Sequence, residues 1–429
     1  MKKNIPLLLS MLALISVAAP SVTVSGVVIK SDKPRDTSPV VSNTDMATLI
    51  QGNSVFAFSL YQHLKTAEGN LFFSPYSISA ALAMTYAGAR GQTEQEMKTT
   101  LHFLLAQSQL HPAFDRLEIT LASRGQTTPT KDNKGFQLNV VNAIWGQKGF
   151  RFKPAFLDIL SINYGAGLRV LDFVGAPDDS RATINDWVSE QTHNKINGLL
   201  SQKAITIFTR LLLTNGIYFN AAWASPFKNK TTRDGTFHTL NGNAVTVPMM
   251  EQTELFAYAR GNNFQAVELP YGGHQLSMVV LLPDAGQFGA VENGLTYDQV
   301  NQMIGSLEMQ NVSLTMPKFR FSADFSMKQT LQALGMPQAF MDEADFSGMT
   351  GNRDLKIFDV IHRAFVSVDE AGTEAAAATA VKMGMVTAAP TKAVWVKMDR
   401  PFILFIRDIE TGTILFAGRV LNPKEPQMK

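Results

Sequence analysis

The sequence predicts an α+β fold in which helices cluster against antiparallel or mixed sheets. Helical periodicity dominates the residues before about Arg210, and runs typical of strands dominate the residues after it. The two patterns do not alternate regularly, which argues against a parallel sheet built from repeated βαβ units. From Thr44 onward no linker, repeat or charge run divides the chain, so we expect a single domain over residues 44–425.

The composition indicates a folded protein with a large apolar core and excludes chemistry that depends on cysteine. Of the 429 residues, 45% are apolar and only 17% are charged, far from the composition of a disordered chain. The absence of cysteine excludes disulfides, thiolate metal sites and cysteine nucleophiles. There are 38 basic and 36 acidic residues, and without Lys2 and Lys3 the balance is 36 to 36. We therefore predict neither nucleic acid nor membrane as a partner.

The amino terminus has the layout of an export signal. Lys2 and Lys3 precede an apolar run from Ile5 to Ala19, which is shorter than the ~20 residues needed to span a bilayer. We predict a signal peptide over residues 1–25, cleaved at or before Ser25, and export to the periplasm or out of the cell. Residues 26–43 are rich in Ser, Thr, Pro and Lys without periodicity, so we expect a flexible leader there.

Local patterns place the secondary structure of the domain. Helices are predicted over Thr44–Thr66 and over Ser77–Ala87, and a capping box at Thr93–Glu96 opens a third. Another helix is expected over Ser180–Ile196. The strand-like runs are Leu211–Phe219, Leu276–Leu282, Val312–Phe321, Ile357–Val368, Val394–Lys397 and Thr413–Val420.

No motif for catalysis or cofactor binding occurs in the chain. Seven histidines are scattered without the i, i+4 spacing of a helical zinc pair. No phosphate-binding loop and no Gly-x-Ser-x-Gly nucleophile elbow is present. We predict no catalytic residue, no metal site and no cofactor.

One segment near the carboxyl end, Glu370 to Pro390, has an unusual pattern. Its alanines favour a helix, but its larger apolar residues stand at odd positions, while the charged Glu374 and Lys382 both fall at even ones. The pattern alone leaves helix and strand equally open. A stretch of this length between two strand-like runs usually has a function of its own.

Several ordered motifs resemble the serpin family of protease inhibitors, from about Thr44 to Pro423. The matching segments are Asn70–Ser79 with Tyr86–Ala89, Leu213–Phe219 with Trp223, Met316–Phe319, Asp345–Met349, Asp399–Phe402 and Phe416–Pro423.

The resemblance implies a fold and a mechanism. It implies helices clustered around three β-sheets, with an exposed reactive-centre loop at about residues 370–393. It also implies a monomeric suicide substrate of serine proteases that is not itself an enzyme. After cleavage of the loop and formation of an acyl bond, the loop would insert as a strand into the central sheet. About 14 inserted residues span roughly 46 Å, enough to carry a covalently bound protease across the domain.

The resemblance also assigns roles to particular residues. The reactive bond falls at Val386–Thr387, with Met385 as the alternative, so the partners are elastase-like or chymotrypsin-like serine proteases, with cysteine proteases as a further class. Trp223 matches the breach, where the loop first enters the sheet on cleavage. The shutter under the sheet comprises Ser74, Ser77, Asn215 and His362, and the hinge comprises Glu370, Gly372, Thr373, Glu374, Ala375, Ala376, Ala377, Ala378 and Thr379.

Two other functions remain open at this stage. A non-inhibitory serpin could act as a binding or chaperone protein, but such members tend to carry bulky, charged or proline residues between Thr373 and Thr379, where this chain has small residues apart from Glu374. A hydrolase could use Ser77 and His362, but no nucleophile motif surrounds them, and a satisfied structural network is the favoured interpretation.

Overall fold

The structure is a computed structural model that describes residues 26–124, 137–373 and 392–424. The predicted signal peptide, 374–391 of the predicted reactive loop and the last five residues lie outside these ranges.

The helices begin and end at local signals. Ser42 caps the first helix by accepting from the Asp45 amide, and Ser74 caps the second, in which Pro75 takes the first turn. In chain order the helices are α1 (Asn43–Leu64), α2 (Pro75–Tyr86), α3 (Gly91–Thr100), α4 (Gln107–Ala122), α5 (Pro154–Tyr164), α6 (Pro177–Gln191), α7 (Phe288–Asn293), α8 (Tyr297–Gly305), α9 (Lys328–Leu334) and α10 (Ser347–Thr350). None of these helices combines the length and hydropathy needed to cross a lipid bilayer.

The strands follow mainly in the second half. They are β1 (Val27–Ile29), β2 (Leu71–Phe73), β3 (Gln137–Gln147), β4 (Leu168–Leu171), β5 (Leu211–Ala222), β6 (Arg233–His238), β7 (Ala244–Arg260), β8 (Phe264–Pro270), β9 (Leu276–Pro283), β10 (Glu308–Pro317), β11 (Phe319–Ser326), β12 (Ile357–Val368), β13 (Gly372–Thr373), β14 (Val394–Lys397), β15 (Phe402–Asp408) and β16 (Ile414–Val420).

The described strands form two hydrogen-bonded sheets. The first has seven strands in the order β1-β4-β3-β5-β13-β12-β11, and the second has nine strands, eight in the order β14-β10-β7-β8-β9-β15-β16-β2 with β6 paired to β7. The α+β prediction is confirmed. The resemblance implied three sheets, but the described strands form two. The long strand β7 pairs with β10 along most of its length and with β8 at its end, so the strands on its two sides belong to one continuous sheet.

Two apolar clusters cover the two faces of the seven-stranded sheet. The larger one packs β5 and β12 against β16 and the helices α1 and α2. The smaller one lies under α6, where Trp187 meets Trp145 of β3 edge to face at 5.3 Å between ring centroids. The sheet is therefore buried on both faces where α6 crosses it.

Some predicted boundaries are wrong. The capping box at Thr93 does not form: α3 begins two residues earlier, and the Thr93 hydroxyl accepts from the Asp345 amide instead. The helix predicted to reach Ile196 ends at Gln191. The run Val312–Phe321 is two strands, because the chain leaves the nine-stranded sheet at Pro317 and enters the seven-stranded sheet one residue after Lys318.

The structure shows fixed contacts in part of the predicted flexible leader, residues 26–43. Its first part, residues 26–38, is held along the helices, and we call it the N-terminal strap. Strand β1 pairs with β4 as an edge strand of the sheet, and Lys33 forms an ion pair with Asp158 of α5 at 2.7 Å. Arg35 Nε donates to Oδ1 of the fully buried Asp115 on α4 at 2.8 Å. Burial raises the pKa of Asp115 to about 6, against the opposing effect of Arg35.

Candidate functional site

The central feature of the seven-stranded sheet is a seam between two parallel strands. β5 and β12 pair directly from Leu211 and Ile357 up to Tyr218 and Phe365. Above this point β13 lies between them and runs antiparallel to both, with Thr373 opposite Ala221 on one side and Val368 on the other. The upper end of the seam is therefore occupied by the residues that lead into the predicted reactive loop.

The two residues of β13 are tightly fitted into this position. Thr373 is 1% exposed, and its hydroxyl lies 2.7 Å from the Tyr271 hydroxyl. A Cβ on Gly372 would stand 2.1 Å from the Ala221 carbonyl oxygen, so only glycine allows this approach. The resemblance placed Thr373 in the hinge of a loop that would insert after cleavage; in the structure Thr373 already lies between β5 and β12.

Glu370 fixes the turn that precedes β13. Its carboxylate accepts from the Thr232 hydroxyl and forms an ion pair with Lys318 Nζ, both at 2.7 Å, while its backbone oxygen accepts from the Phe227 amide. Burial alone would raise the pKa of this carboxyl, but the bonds from Lys318 and Thr232 hold it below its usual value. Glu370 thus stays ionised and anchors the start of the loop.

Trp223, the predicted breach residue, lies at the top of the same seam. Its indole stacks on the Tyr271 ring at 4.7 Å between centroids, and its Nε1 donates to the Asp369 carbonyl at 3.0 Å. Its backbone amide donates to the Ala371 carbonyl at 2.9 Å. These bonds hold both the strand end and the turn that opens the loop.

The four predicted shutter residues meet in one buried cluster halfway down the seam. Asn215 of β5 and His362 of β12 stand directly opposite each other, and the Asn215 side chain contacts both the His362 imidazole and the Ser77 hydroxyl. Ser74 and Ser77 are at the start of α2, where Ser74 Oγ accepts from the Ser77 amide at 3.1 Å. All four are fully buried. One polar cluster therefore ties the two strands to each other and to the helix beneath.

The bonding pattern of His362 fixes its protonation state and argues against the hydrolase. Its Nε2 accepts from the Ser74 backbone amide at 3.2 Å, so Nδ1 carries the proton and donates to Asn215 Oδ1. Burial lowers the pKa of His362 to about 3, which keeps the ring neutral. No bond joins His362 to the Ser77 hydroxyl, so the nucleophile–base contact that a serine hydrolase needs is missing.

Several residues at the seam were missed by the sequence analysis. Asn142 of β3 stands opposite Asn215 and donates to the Ser77 carbonyl at 3.3 Å; a lone polar residue in the apolar run Val140–Ile144 was the available signal. Lys318 lies in the Met316–Phe319 motif, but the resemblance assigned it no role. Nothing in the local sequence singles out Thr232 or Tyr271, because their partners are more than a hundred positions away.

The rest of the predicted loop lies outside the described residues. This applies to Glu374, Ala375, Ala376, Ala377, Ala378 and Thr379 of the hinge and to Met385, Val386 and Thr387 at the reactive bond. In the described ranges, no group of three His, Asp or Glu side chains is placed to hold a metal ion.

The described sheet thus has a parallel strand pair that holds the start of a loop between its upper ends, above a polar cluster that joins the pair. Comparison with known proteins identifies the class of protein. The family model described as Serpin (serine protease inhibitor) matches residues 51–423, and the chain belongs to the serpin family.

Relatives and solved structures agree with this assignment. A serpin-like protein of Thermococcus kodakarensis is 42% identical over 86% of this chain and 84% of its own length. The leukocyte elastase inhibitor of Xenopus tropicalis is 38% identical over 88% of this chain and all of its own. The thermophilic serpin Tengpin in its native state has a TM-score of 0.78 at 28% identity, covering 92% of this chain and 97% of its own. Human thyroxine-binding globulin in complex with its ligand has a TM-score of 0.79 at 31% identity, covering 89% and 100%.

The relatives thus include inhibitors of proteases, and the serpin fold predicted from the sequence is confirmed.

Proposed function

We propose that this protein inhibits serine proteases as a suicide substrate whose cleaved loop enters the β5–β12 seam. The observation that carries the proposal is β13, which lies between two parallel strands at the point where the loop begins. Extension of β13 would replace one parallel pairing by two antiparallel pairings, which are slightly more stable per residue. Cleavage of the loop would therefore release free energy, which a protease inhibitor of this kind needs in order to trap its target.

The register of β13 indicates which loop residues would enter. Because Thr373 is opposite Ala221 in an antiparallel pairing, each further loop residue moves one position down β5, and Met383 would reach Leu211, where β5 begins. The proposed reactive bond at Val386–Thr387 follows just beyond this end of the strand. The inserted strand would thus use the full length of the seam before the tethered protease is reached.

The same register supports a role for the polar cluster. The pairing with β5 and the pairing with β12 both bring Thr379 to the row where Asn215 faces His362. The Thr379 hydroxyl could accept from His362 Nδ1 and donate to Asn215 Oδ1, so it would replace the bond that insertion must break. We infer that the cluster is the shutter. Its hydrogen bonds join β5 directly to β12 in the native protein, and after insertion they would join both strands to Thr379.

The proposed targets and location follow from the residues of the loop and from the relatives. Val386 suits the small apolar pocket of elastase-like proteases, Met385 would suit chymotrypsin-like ones, and a leukocyte elastase inhibitor is among the relatives. The apolar run after Lys2 and Lys3 supports export. We propose a monomer that acts on secreted proteases and has no catalytic activity of its own.

Incubation with pancreatic elastase tests the proposal directly. On a denaturing gel we expect a band at the summed mass of inhibitor and protease, whereas a mere substrate gives fragments only. A second measurement compares melting temperatures of the intact protein and the protein nicked in its loop. Insertion should raise the melting temperature of the nicked form, and equal values would rule out the mechanism.

A pair of neighbouring substitutions tests the direction of insertion. In the extended register, Ala375 would face the core between Phe219 and Val366, both about 1% exposed, whereas Glu374 would stand between the partly exposed Asn220 and Ser367. Ala375→Arg should slow insertion, since burying an unpaired charge costs several kcal/mol, and it should turn the inhibitor into a substrate. Glu374→Arg is the control and should still trap elastase. Equal behaviour of the two variants would contradict the register. Thr373 is less suitable here, because an arginine there would already disturb the native sheet.

A binding protein without inhibitory activity is the second candidate. Similarity to thyroxine-binding globulin, at 31% identity over 89% of the chain, favours it. The small residues Thr373, Ala375, Ala377 and Thr379 favour the inhibitor. The elastase gel separates the two, because a binding protein gives no covalent band.

A further inference from the structure

A tight turn just ahead of β5 holds two large apolar side chains in solvent. The Thr209 amide donates to the Thr206 carbonyl at 2.9 Å, so Ile207 and Phe208 occupy the two central positions of the turn. These two residues are 53% and 72% exposed. Gly, Pro, Asn, Asp and Ser usually fill such positions, so the turn itself does not require either apolar side chain.

The turn is held in place by its own polar groups. The Phe208 amide donates to the Thr206 hydroxyl at 3.2 Å, and the Thr206 amide donates to the hydroxyl of the fully buried Thr209 at 3.1 Å. Arg210 Nη1 donates to the Ile207 carbonyl at 2.8 Å. The two apolar side chains are therefore presented at a fixed place, which lowers the entropy cost of a contact with them.

The turn lies at the lower end of the β5–β12 seam, opposite the end that holds β13. β5 begins at Leu211, three residues after Phe208, and Leu211 pairs with Ile357 at the start of β12. Ile205, just before the turn, and Leu212 of β5 both belong to the apolar cluster under α6, whereas Leu211 belongs to the larger cluster. The chain thus approaches the turn on the α6 face of the sheet.

The proposed insertion would bring the cleaved end of the loop to this turn. In the register of β13, Met383 reaches Leu211, and Val386 follows three residues later, at most about 11 Å beyond it. Phe208 stands the same three residues from Leu211, and the register, if continued, brings Val386 level with Phe208. Because Leu212 would pair with an even-numbered loop residue, Val386 would point to the α6 face as Leu212 does.

We propose that Ile207 and Phe208 receive the Val386 side chain once the cleaved loop has inserted. The occupant of the docking site is thus a segment of this chain, and the contact would remove all three apolar side chains from water. The inference rests on the proposed function, because it assumes that the loop inserts.

This contact would lengthen the life of the covalent complex. Before insertion the Val386 side chain occupies the specificity pocket of the protease, and its carbonyl carbon is bonded to the protease serine oxygen as an ester. Hydrolysis adds the hydroxyl group of a water molecule to that carbon and returns the other proton of the water to the serine oxygen. With Val386 held by the turn, the ester stands outside the geometry in which the protease base activates this water, so hydrolysis slows.

Cysteine pairs test the contact, because the chain contains no cysteine of its own. The variant Phe208→Cys with Val386→Cys is cleaved in its loop by pancreatic elastase, oxidised mildly and alkylated. A disulfide forms only where the two Cα atoms come within about 7 Å, so mass spectrometry should find both thiols protected in the cleaved protein and both alkylated in the intact protein. The control pair is Leu240→Cys with Val386→Cys, since Leu240 is 57% exposed in the turn between β6 and β7; its thiols should stay free.

A second measurement follows the decay of the covalent elastase complex on denaturing gels. Ile207→Ser with Phe208→Ser should shorten the life of the complex about tenfold, which corresponds to about 1.4 kcal/mol, without lowering the yield in which the complex first forms. Leu240→Ser is the matched control and should leave the lifetime unchanged. Equal melting temperatures of the intact proteins establish that folding is not affected.

The outcomes separate this inference from the proposed function. If cleavage raises the melting temperature but the thiols of the first cysteine pair stay free, the loop inserts and the docking site is refuted. An unchanged lifetime of the complex after both serine substitutions would refute it as well. If elastase forms no complex and cleavage does not raise the melting temperature, the proposed function and this inference both fail. If the wild type dimerises in sedimentation and Phe208→Ser does not, the turn serves self-association and the proposal is wrong.

Discussion

Thr379→Val tests the proposed exchange of hydrogen bonds at the polar cluster. In the native protein Asn215 and His362 bond to each other, so a change at Thr379 should not alter the stability of the intact form. After insertion the new strand separates these two residues, and valine offers neither of them a partner. A buried donor or acceptor without a partner costs about 1–3 kcal/mol. The two unpaired side chains, Asn215 and His362, should therefore lower the stability of the inserted form alone by roughly 2–4 kcal/mol.

The assay compares the melting temperatures of intact and loop-cleaved protein. For about 400 residues the unfolding entropy is roughly 0.8 kcal/mol/K, so this cost should lower the melting temperature of the cleaved form by about 2–5 °C. If about 1.4 kcal/mol of the cost is already present in the transition state for insertion, trapping relative to hydrolysis should fall about tenfold. Thr379→Ser keeps the hydroxyl and is the control.

Two results would refute the reasoning. If cleaved Thr379→Val melts at the wild-type temperature, Thr379 does not lie between Asn215 and His362 after insertion. If the intact form of Thr379→Val is destabilised by the same amount as the cleaved form, the effect arises in the native state and says nothing about insertion.

Three further predictions concern the native state and the loop. Arg35→Met leaves the buried Asp115 carboxylate without its cation, and urea unfolding should show a loss of about 2–3 kcal/mol; a loss below about 0.5 kcal/mol would show that the Arg35–Asp115 pair does not stabilise the protein. Burial keeps His362 neutral in the folded protein with a pKa of about 3, whereas the unfolded chain binds a proton below pH 6.5. The contribution of His362 to the free energy of unfolding is therefore complete above pH 6.5 and falls as the pH decreases, by about 2 kcal/mol at pH 5. His362→Gln should remove this part of the pH dependence. Oxidation of Met383 and Met385 should slow inhibition of elastase, because a sulfoxide is polar and bulkier; an unchanged association rate after oxidation verified by mass spectrometry would exclude contact of either with the protease.

The sequence predicts those features whose signals are local. The start of α2 is such a case, because Ser74 and Pro75 are a cap and a first-turn residue in consecutive positions. The cluster of Ser74, Ser77, Asn215 and His362 was predicted as a group from the family resemblance, and the structure places all four in contact. Their role as a shutter stays a prediction.

Features that depend on distant partners were not predictable. Residues 26–38 have no periodic pattern, and their partners are distant: Asp115 lies eighty positions beyond Arg35, Asp158 lies 125 beyond Lys33, and β1 pairs with β4 over three residues. The apolar run Val312–Phe321 gives no sign of its interruption, since both of its halves are strands that belong to different sheets. Lys318 crosses between the sheets, and only this crossing brings its ammonium to Glu370.

The N-terminal strap also constrains the order in which the chain can complete its fold. Ser31 bonds to Asp158, 127 positions later, and β1 needs β4, which is synthesised after that. At 5–20 residues per second these partners leave the ribosome on the order of 10 s after the strap itself. The strap can therefore take its place only after residues up to Leu171 have been made, but it need not wait for β5 to β16, which follow later in the chain. An extension fused ahead of residue 26 would therefore interfere with the pairing of β1 and β4, which closes this edge of the seven-stranded sheet.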